Sequence, residues 1–386
     1  MNTTKLKNVC VVVSGTTPKS TDKRYWNGTH VWITPAELSE DSFIVTDSER
    51  HITDEAIKAT GLKSFPKGTV LLSSRAPIGK VAIAGCEMYC NQGFKNLICS
   101  ESIYNLYLYY FLKSKTAYLN SLGRGATFKE ISKGIVEDIS IPFPVYSEQI
   151  RIAKQLQKIS ELISLKKGQY RYFDYIIRSR FLELFGDPND VSILSLPGEK
   201  KSIEDVCDGI YGGGTPSKSH KEYYTGKIPW VTPKDMKTLS IDDSQNHINS
   251  EAIENSTAKL IPKRCVLMVI RSGILKHTLP VAINNVEVTI NQDMKAFVPS
   301  SLITPEYLLY TFKLMEKSIL SKVRGVTADN IEFSEFRKRR IVVPPIEVQT
   351  QFVDFALSID KSKMAVQKSL DELETLKKSL MQTYFG

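Results

Sequence analysis

Arg75 follows an apolar run and two serines, Val70 to Ser74, and Arg271 follows a second apolar run, Val266 to Ile270, just before Ser272. A guanidinium at a strand end can form paired hydrogen bonds with a planar acceptor edge or neutralise a phosphate. It can equally sit in a structural ion pair. Around each arginine the same kinds of polar residue recur. Thr16, Thr17 and Lys19 in one half, and Thr215, Ser217 and Lys218 in the other, form turns ending in lysine. Such a turn can offer backbone N–H groups and an ammonium to phosphate, or be a plain loop. Asn91-Gln92 and Asn291-Gln292 carry amides that could grip base edges or cap turns. Arg124, Thr127 and Lys129, and Arg324 and Thr327, lie in Gly-containing basic loops suited to phosphate or base contact. Thr34 and Thr232 stand beside Trp32 and Trp230, whose indoles we read as core and whose neighbouring threonines could reach outward. Tyr25, Tyr223, Ser74, Lys80 and Lys276 complete the candidate set. Residues of these types suit turns and hydrogen bonding to nucleic acid.

Catalytic machinery is not apparent. Gly79-Lys80 lacks the upstream glycine and the following Ser or Thr of a phosphate-binding loop, and no G-x-G-x-x-G follows a strand. Phe185-Gly186-Asp187-Pro188 resembles the start of an amino-methylation motif but lacks the second proline and sits at a helix end. Cys86, Cys90 and Cys99 have no fourth ligand at a usual zinc spacing, and the second half holds Val286, Ile290 and Pro299 in their places. Buried free thiols of a reducing compartment fit better. Of the histidines, only His51 and His247 match between the halves.

That matching is general. Gly15, Thr17, Pro18, Lys23, Tyr25, Gly28, Trp32, Thr34 and Pro35 recur as Gly213, Thr215, Pro216, Lys221, Tyr223, Gly226, Trp230, Thr232 and Pro233. His51 to Arg75 align with His247 to Arg271, and Val81 to Gly186 with Val281 to Gly386. Four residues are added after Arg271, in the stretch that holds Lys276 and His277. A tandem repeat gives one fold two chances to read something at a fixed separation.

Each copy has two parts. The first is mixed. Val9 to Val13, Val70 to Leu72, Val81 to Ala84 and Asn96 to Cys99 read as strands, while Tyr104 to Ser121 and Pro305 to Val323 carry aromatic and Leu residues at helical spacing. The second is a long helix announced by Pro142 and Pro144, or Pro344 and Pro345. Ile152, Leu156, Ile159, Ile163, Tyr170, Phe173, Ile177 and Leu184 keep a 4-3 rhythm, and Phe352, Ala356, Ile359, Lys363, Leu370, Leu373, Lys377 and Tyr384 follow it in the second copy. This is a coiled-coil seam, imperfect in each helix, so the two are expected to pair with each other. Gly186 and Gly386 read as helix caps. The expected fold class is α+β: two similar globular domains, 1–146 and 187–346, joined by two long antiparallel helices, 147–186 and 347–386, in a pseudo-two-fold arrangement.

The formal net charge is +9, with 26 basic and 20 acidic residues in 1–200 and 25 and 22 in 201–386. Both halves are basic, which fits a shared polyanionic partner. No 18-residue apolar run and no signal-peptide pattern occur, so a cytoplasmic protein with no membrane partner is expected.

The Gly-Thr-Thr-Pro and Gly-Gly-Thr-Pro turns, Trp-x-Thr-Pro at Trp32 and Trp230, the Asn-Gln pairs, Arg-Gly-x-Thr at Arg124 and Arg324, and a proline-rich exit with Gln149 or Gln349 before a long helix come in the same order twice. Together they resemble the specificity subunit of a Type I restriction-modification system, along the whole chain. The resemblance implies two target recognition domains that each read half of a bipartite site in double-stranded DNA, and an antiparallel coiled coil that measures the gap. It implies two methylation subunits carrying S-adenosylmethionine, and restriction subunits using ATP and Mg. It also implies that this chain binds no cofactor or metal and catalyses nothing. A coiled-coil scaffold and a stand-alone DNA-processing enzyme are the alternatives.

Overall fold

Each copy of the repeat folds into the same five-stranded and three-stranded sheets, beside a two-stranded ladder (Thr3–Lys5 with Ser140–Pro142, and Glu199–Ser202 with Arg340–Val343). The computed structural model describes residues 2–75, 77–124, 129–190, 198–323 and 330–386. In the first copy the strands of the two larger sheets are β1 (Cys10–Val13), β2 (Trp26–Ile33), β3 (Ile44–Val45), β4 (His51–Ile52), β5 (Val70–Leu72), β6 (Val81–Ala84), β7 (Tyr89–Cys90) and β8 (Asn96–Cys99). In the second they are β9 (Cys207–Gly212), β10 (Ile228–Val231), β11 (Ser240–Ile241), β12 (His247–Ile248), β13 (Val266–Val269), β14 (Val281–Asn284), β15 (Thr289–Ile290) and β16 (Met294–Pro299). One sheet has the order β1-β8-β5-β6-β3, and its counterpart is β9-β16-β13-β14-β11. The smaller sheets are β4-β2-β7 and β12-β10-β15. The pairings β3·β6, β2·β7, β11·β14 and β10·β15 are parallel and the others antiparallel. The duplication read from residue types is therefore a duplication of strand order.

β5 and β6 are buried on both faces, as are β13 and β14. Their continuous Val, Leu, Ile and Ala runs are the pattern of strands covered on both sides. A helix covers one face in each copy: α1 (Asn105–Ser114) and its counterpart α3 (Pro305–Leu320). Thr304 caps the latter, its hydroxyl accepting from Tyr307 N at 3.2 Å, with Pro305 at the first helical position.

The long helices are α2 (Tyr146–Phe185) and α4 (Ile346–Phe385). Two compact units result: residues 1–168 with 367–386, and residues 169–366. Within the first, Ile159 and Ile163 of α2 bury themselves with Leu370 of α4, Lys167 pairs with Glu374 at 3.1 Å, and Tyr384 donates to Gln155 at 2.9 Å. Within the second, Lys363 pairs with Asp174 at 2.5 Å and Phe181 packs against Phe352. From Gln155–Tyr384 to Lys167–Glu374 in the first unit, and from Asp174–Lys363 to Phe181–Phe352 in the second, the partner's number falls as that of α2 rises, so the paired segments run antiparallel.

Each helix also ends in a globule. Phe385 is buried against Tyr107 and Phe111 in the first unit, and Phe185 against Tyr307 and Phe352 in the second. At the close of α2, Phe181 and Phe185 are buried while Leu184, the seam residue expected there, is only partly covered. Gly186 caps α2 at φ 73°, its N–H returning to Leu182 O at 2.9 Å.

Gln149 and Gln349 clip each long helix to its own domain. Both are fully buried. The Gln149 amide oxygen accepts from Tyr104 N at 2.9 Å, while its nitrogen donates to the carbonyls of Ser102 and Pro144 at 3.2 and 3.0 Å. Gln349 repeats this with Thr304 N, Leu302 O and Pro344 O at 2.8, 2.9 and 2.8 Å. One buried side chain thus satisfies one N–H and two carbonyls at each helix entrance.

Candidate nucleic-acid interface

Two loops meet at one edge of each globule. In the first copy the 15–19 turn lies against the 91–93 turn, because Gly15 approaches the Cys90 backbone so closely that a Cβ would stand 1.6 Å from its carbonyl oxygen. Gly213 is held the same way, with its would-be Cβ 2.0 Å from Asn291 O. Only glycine fits either place. The Thr17 hydroxyl then donates to Gln92 Oε1 at 2.6 Å, and Thr215 makes the same bond to Gln292. Thr16, Thr17, Lys19 and Gln92 are exposed, as are Ser217, Lys218 and Gln292; Thr215 is half-buried. Ser217 bonds Ser219 at 2.7 Å across the turn.

The tryptophans staple these turns from inside. Trp32 Nε1 donates to Thr16 O at 3.1 Å, and Trp230 Nε1 to Gly214 O at 3.0 Å. Trp26 Nε1 reaches Lys19 O at 3.2 Å, whereas in the second copy the Tyr224 hydroxyl reaches Pro216 O at 2.7 Å. Arg50 stacks on Trp26 with its guanidinium carbon 3.4 Å from the ring centroid. Tyr25 is half-buried and packs on this aromatic cluster.

Arg75 and Arg271 emerge beside these turns with nearly half of each side chain exposed. Arg75 Nε donates to Glu130 Oε2 at 2.8 Å, and Arg271 Nε to Asp293 Oδ1 at 2.7 Å. Lys95, buried, donates to the other Glu130 oxygen at 3.1 Å and to Ser74 Oγ at 3.3 Å. Partial burial raises the Glu130 carboxyl, but Arg75 and Lys95 outweigh it and hold the group below the usual glutamate range. Arg124 pairs its backbone with Glu130 and is exposed, as is Lys129. Ser272 caps the short turn Gly273–Lys276, on which Lys276 is exposed. Thr127, Arg324 and Thr327 lie outside the described residues.

Six of the expected contact residues have partners within the protein. Ser74 is fully buried and its hydroxyl serves Lys95. Tyr223 is buried and stacks on His220 with centroids 4.9 Å apart. Asn291 is buried and its amide bridges to Asp293 at 3.0 Å, while Asn91 caps its own turn through Gly93 N at 2.9 Å and is half-buried. Lys80 donates to the carbonyls of Pro35 and Leu38, so its ammonium is spent on holding a loop. Thr34 and Thr232 give their hydroxyls to Glu37 and Asp235, at 2.9 and 2.8 Å, capping the turns that follow. Ser74, Tyr223 and Asn291 are buried and Lys80, Thr34 and Thr232 half-buried, and all six help to shape the edge.

The matched histidines open β4 and β12 and bond back to the turns before those strands. His51 meets Asp47 at 2.9 Å and His247 meets Asp243 at 2.6 Å. Both aspartates also accept from the next backbone N–H, which holds their carboxyls low. The thiols of Cys90 and Cys207 are pushed up to about 12 by burial, which makes them poor nucleophiles and ligands. Among the described residues no three His, Cys, Asp or Glu side chains converge as metal ligands, and no helix is long and apolar enough to cross a membrane.

A duplicated α+β globule with a polar, arginine-bearing loop edge, each copy followed by a long helix, defines a repeated recognition module. The model of the Type I restriction modification DNA specificity domain matches residues 1–171 and again 197–375, and the chain belongs to this family. The Type I restriction enzyme MjaIX specificity subunit of Methanocaldococcus jannaschii is 30% identical over 395 residues, covering 98% of this chain and 90% of that one. The EcoR124I/EcoR124II specificity subunit of Escherichia coli is 30% identical over 270 residues, 66% of this chain and 63% of its own. The crystal structure of a Type I restriction-modification S subunit from M. genitalium shares the fold, with a TM-score of 0.57 at 15% identity over 100% of this chain and 96% of that one. This chain is accordingly a DNA target-recognition subunit of a Type I restriction-modification system.

Proposed function

We propose that each unit reads one half of a bipartite duplex site, and that the chain delivers methylation and restriction subunits to that site without catalysing a reaction itself. The observation that carries this reading is the duplicated loop edge. Thr17–Gln92 and Thr215–Gln292 build the same platform twice, yet what flanks it differs, as in the short turn Gly273–Lys276 after Arg271. Two alike platforms bearing unlike loops suit two half-sites of different sequence. Arg75 and Arg271 are the base-reading candidates. Lys19, Lys218, Arg124, Lys129, Lys276 and the turns at Thr16, Thr17, Thr215, Ser217 and Ser272 supply phosphate contact and register, with Tyr25, Asn91, Gln92 and Gln292 bracing them. S-adenosylmethionine, ATP and Mg then belong to the partner subunits.

The test is a methylome. The chain is co-expressed with the methylation subunit encoded beside it, and host DNA is sequenced for N6-methyladenine. A two-part motif with a fixed gap, lost when this chain is omitted, is the expected result. An assembled complex that creates no new motif would overturn the reading in favour of a scaffold. DNA altered by the purified chain alone would point to an enzyme.

A further inference from the structure

Arg75 and Arg271 occupy the same place in the fold, because the first pairs its backbone with Glu130 and the second with Asn330, which align in the repeat. Each arginine meets a carboxylate, but the acid comes from a different position. Asn330 stands where Glu130 does, and Gly93 stands where Asp293 does. The turn position is crowded in the first copy: a Cβ on Gly93 would lie 2.9 Å from Pro35 Cγ and 3.0 Å from Asn91 Oδ1, so a side chain there would need its neighbours to shift. Its acid arrives from the facing backbone at Glu130. The same arrangement is thus reached by two unlike routes. Stability is a weak reason for it, since ion pairs this exposed contribute little.

The geometry gives a better reason. Arg75 uses only Nε on Glu130, at 2.8 Å. Arg271 turns Nε and Nη2 to one oxygen of Asp293, both at 2.7 Å. Among the described residues Arg75 Nη1 and Nη2 and Arg271 Nη1 have no partner, and Arg271 Nη2, which meets Asp293 on its Nε side, keeps its second N–H beside Nη1. Two parallel N–H groups at the Nη end of a half-exposed arginine match the O6 and N7 acceptors of guanine in a major groove. The neighbouring negative charge also disfavours a phosphate at that guanidinium, which penalises misplaced backbone binding.

We propose that Glu130 and Asp293 are positioning residues for specificity, each fixing its arginine by the Nε side so that the Nη end reads one guanine in its half-site. This rests on the reading that each unit contacts duplex DNA. The experiment is selection from a random duplex library by the complex of this chain with its methylation subunits, comparing the parent with Glu130→Gln, Asp293→Asn, Arg75→Lys and Arg271→Lys. Glu130→Gln should reduce the preference for guanine about tenfold at a single position of one half-site and leave the other half unchanged. Asp293→Asn should do the same in the other half. Arg75→Lys, which keeps the charge and loses the fork, should relax the same position as Glu130→Gln, and Arg271→Lys the same as Asp293→Asn. Affinity for non-cognate duplex should stay level or rise in the two acid variants. Unchanged position-by-position preferences, or preference lost evenly over a whole half-site as loop collapse would produce, would overturn the proposal. Should Glu130→Gln misfold because Lys95 loses its counter-charge, Arg75→Lys and the Asp293 pair decide the matter. A parent complex that selects no two-part motif would sink the underlying reading instead.

Discussion

At the scale of single residues, the interface is a set of polar groups sorted by burial, and residue type alone does not perform the sorting. Ser74 sits next to Arg75 in sequence, yet one is fully buried and the other half-exposed. Thr34 and Thr232 look free beside a tryptophan, but Glu37 and Asp235 three residues on claim them. That S/T-x-x-E/D spacing was present in the sequence and is a capping signal. Glu130 and Asp293 escaped notice for a different reason. They have no matched counterpart, so a comparison of the two copies passes over them. Glu130 also makes a prediction about pH. Its carboxyl is held below the ordinary glutamate value of about 4.3. The stability it adds is therefore fully present above that value and is lost as pH falls through the folded-state value. Urea titrations from pH 6 down to pH 3 should show a steeper acid loss in the parent than in Glu130→Gln, and parallel curves would exclude this contribution.

At the scale of elements, the helices were legible and the sheets only partly so. The 4-3 rhythm from Ile152 to Ile177 is a local signal, and it corresponds to a continuous α2. β3 and β7 are two residues each, too short for any alternation to show, and both pair in parallel with strands far along the chain. Strand order is set by such distant partners, which is why it could not be read from one sequence. The clip at the helix entrance lies between these cases. Gln149 and Gln349 stood out as matched residues, but their three hydrogen bonds apiece depend on how the α1 and α3 entrances fold back. Replacing Gln349 with Leu would orphan one buried N–H and two carbonyls. Each unmet group costs roughly 1–3 kcal/mol, so a loss of about 3 kcal/mol or more is expected in denaturant melts. Gln349→Glu should be nearly as harmful, because it keeps the acceptor but loses the donor. A change under about 1 kcal/mol in either variant would show that the clip is dispensable.

For the whole molecule, the charge and the two-unit construction set the behaviour. With a net charge of +9 and basic residues in both loop edges, duplex binding by the assembled complex should weaken steeply with salt. Neutralising Arg124 or Lys129 should flatten the slope of log K against log salt by close to one each, without altering the motif. A variant that shifts the motif and leaves the slope alone would reassign that residue to base reading. The two-unit construction also has a temporal side. The slot formed by Tyr107 and Phe111 is filled by Phe385, and residues 367–386 belong to the same compact unit as 1–168. Phe385→Ala should cost about 3–5 kcal/mol in that unit, seen as an early transition on heating. During synthesis the slot must wait while 169–366 are made. At ribosomal speeds that is roughly 10–40 s with an apolar notch open to solvent and to chaperones. The first globule to emerge is thus the later one to be finished, and slowing translation downstream of residue 168 should lengthen its exposure to protease.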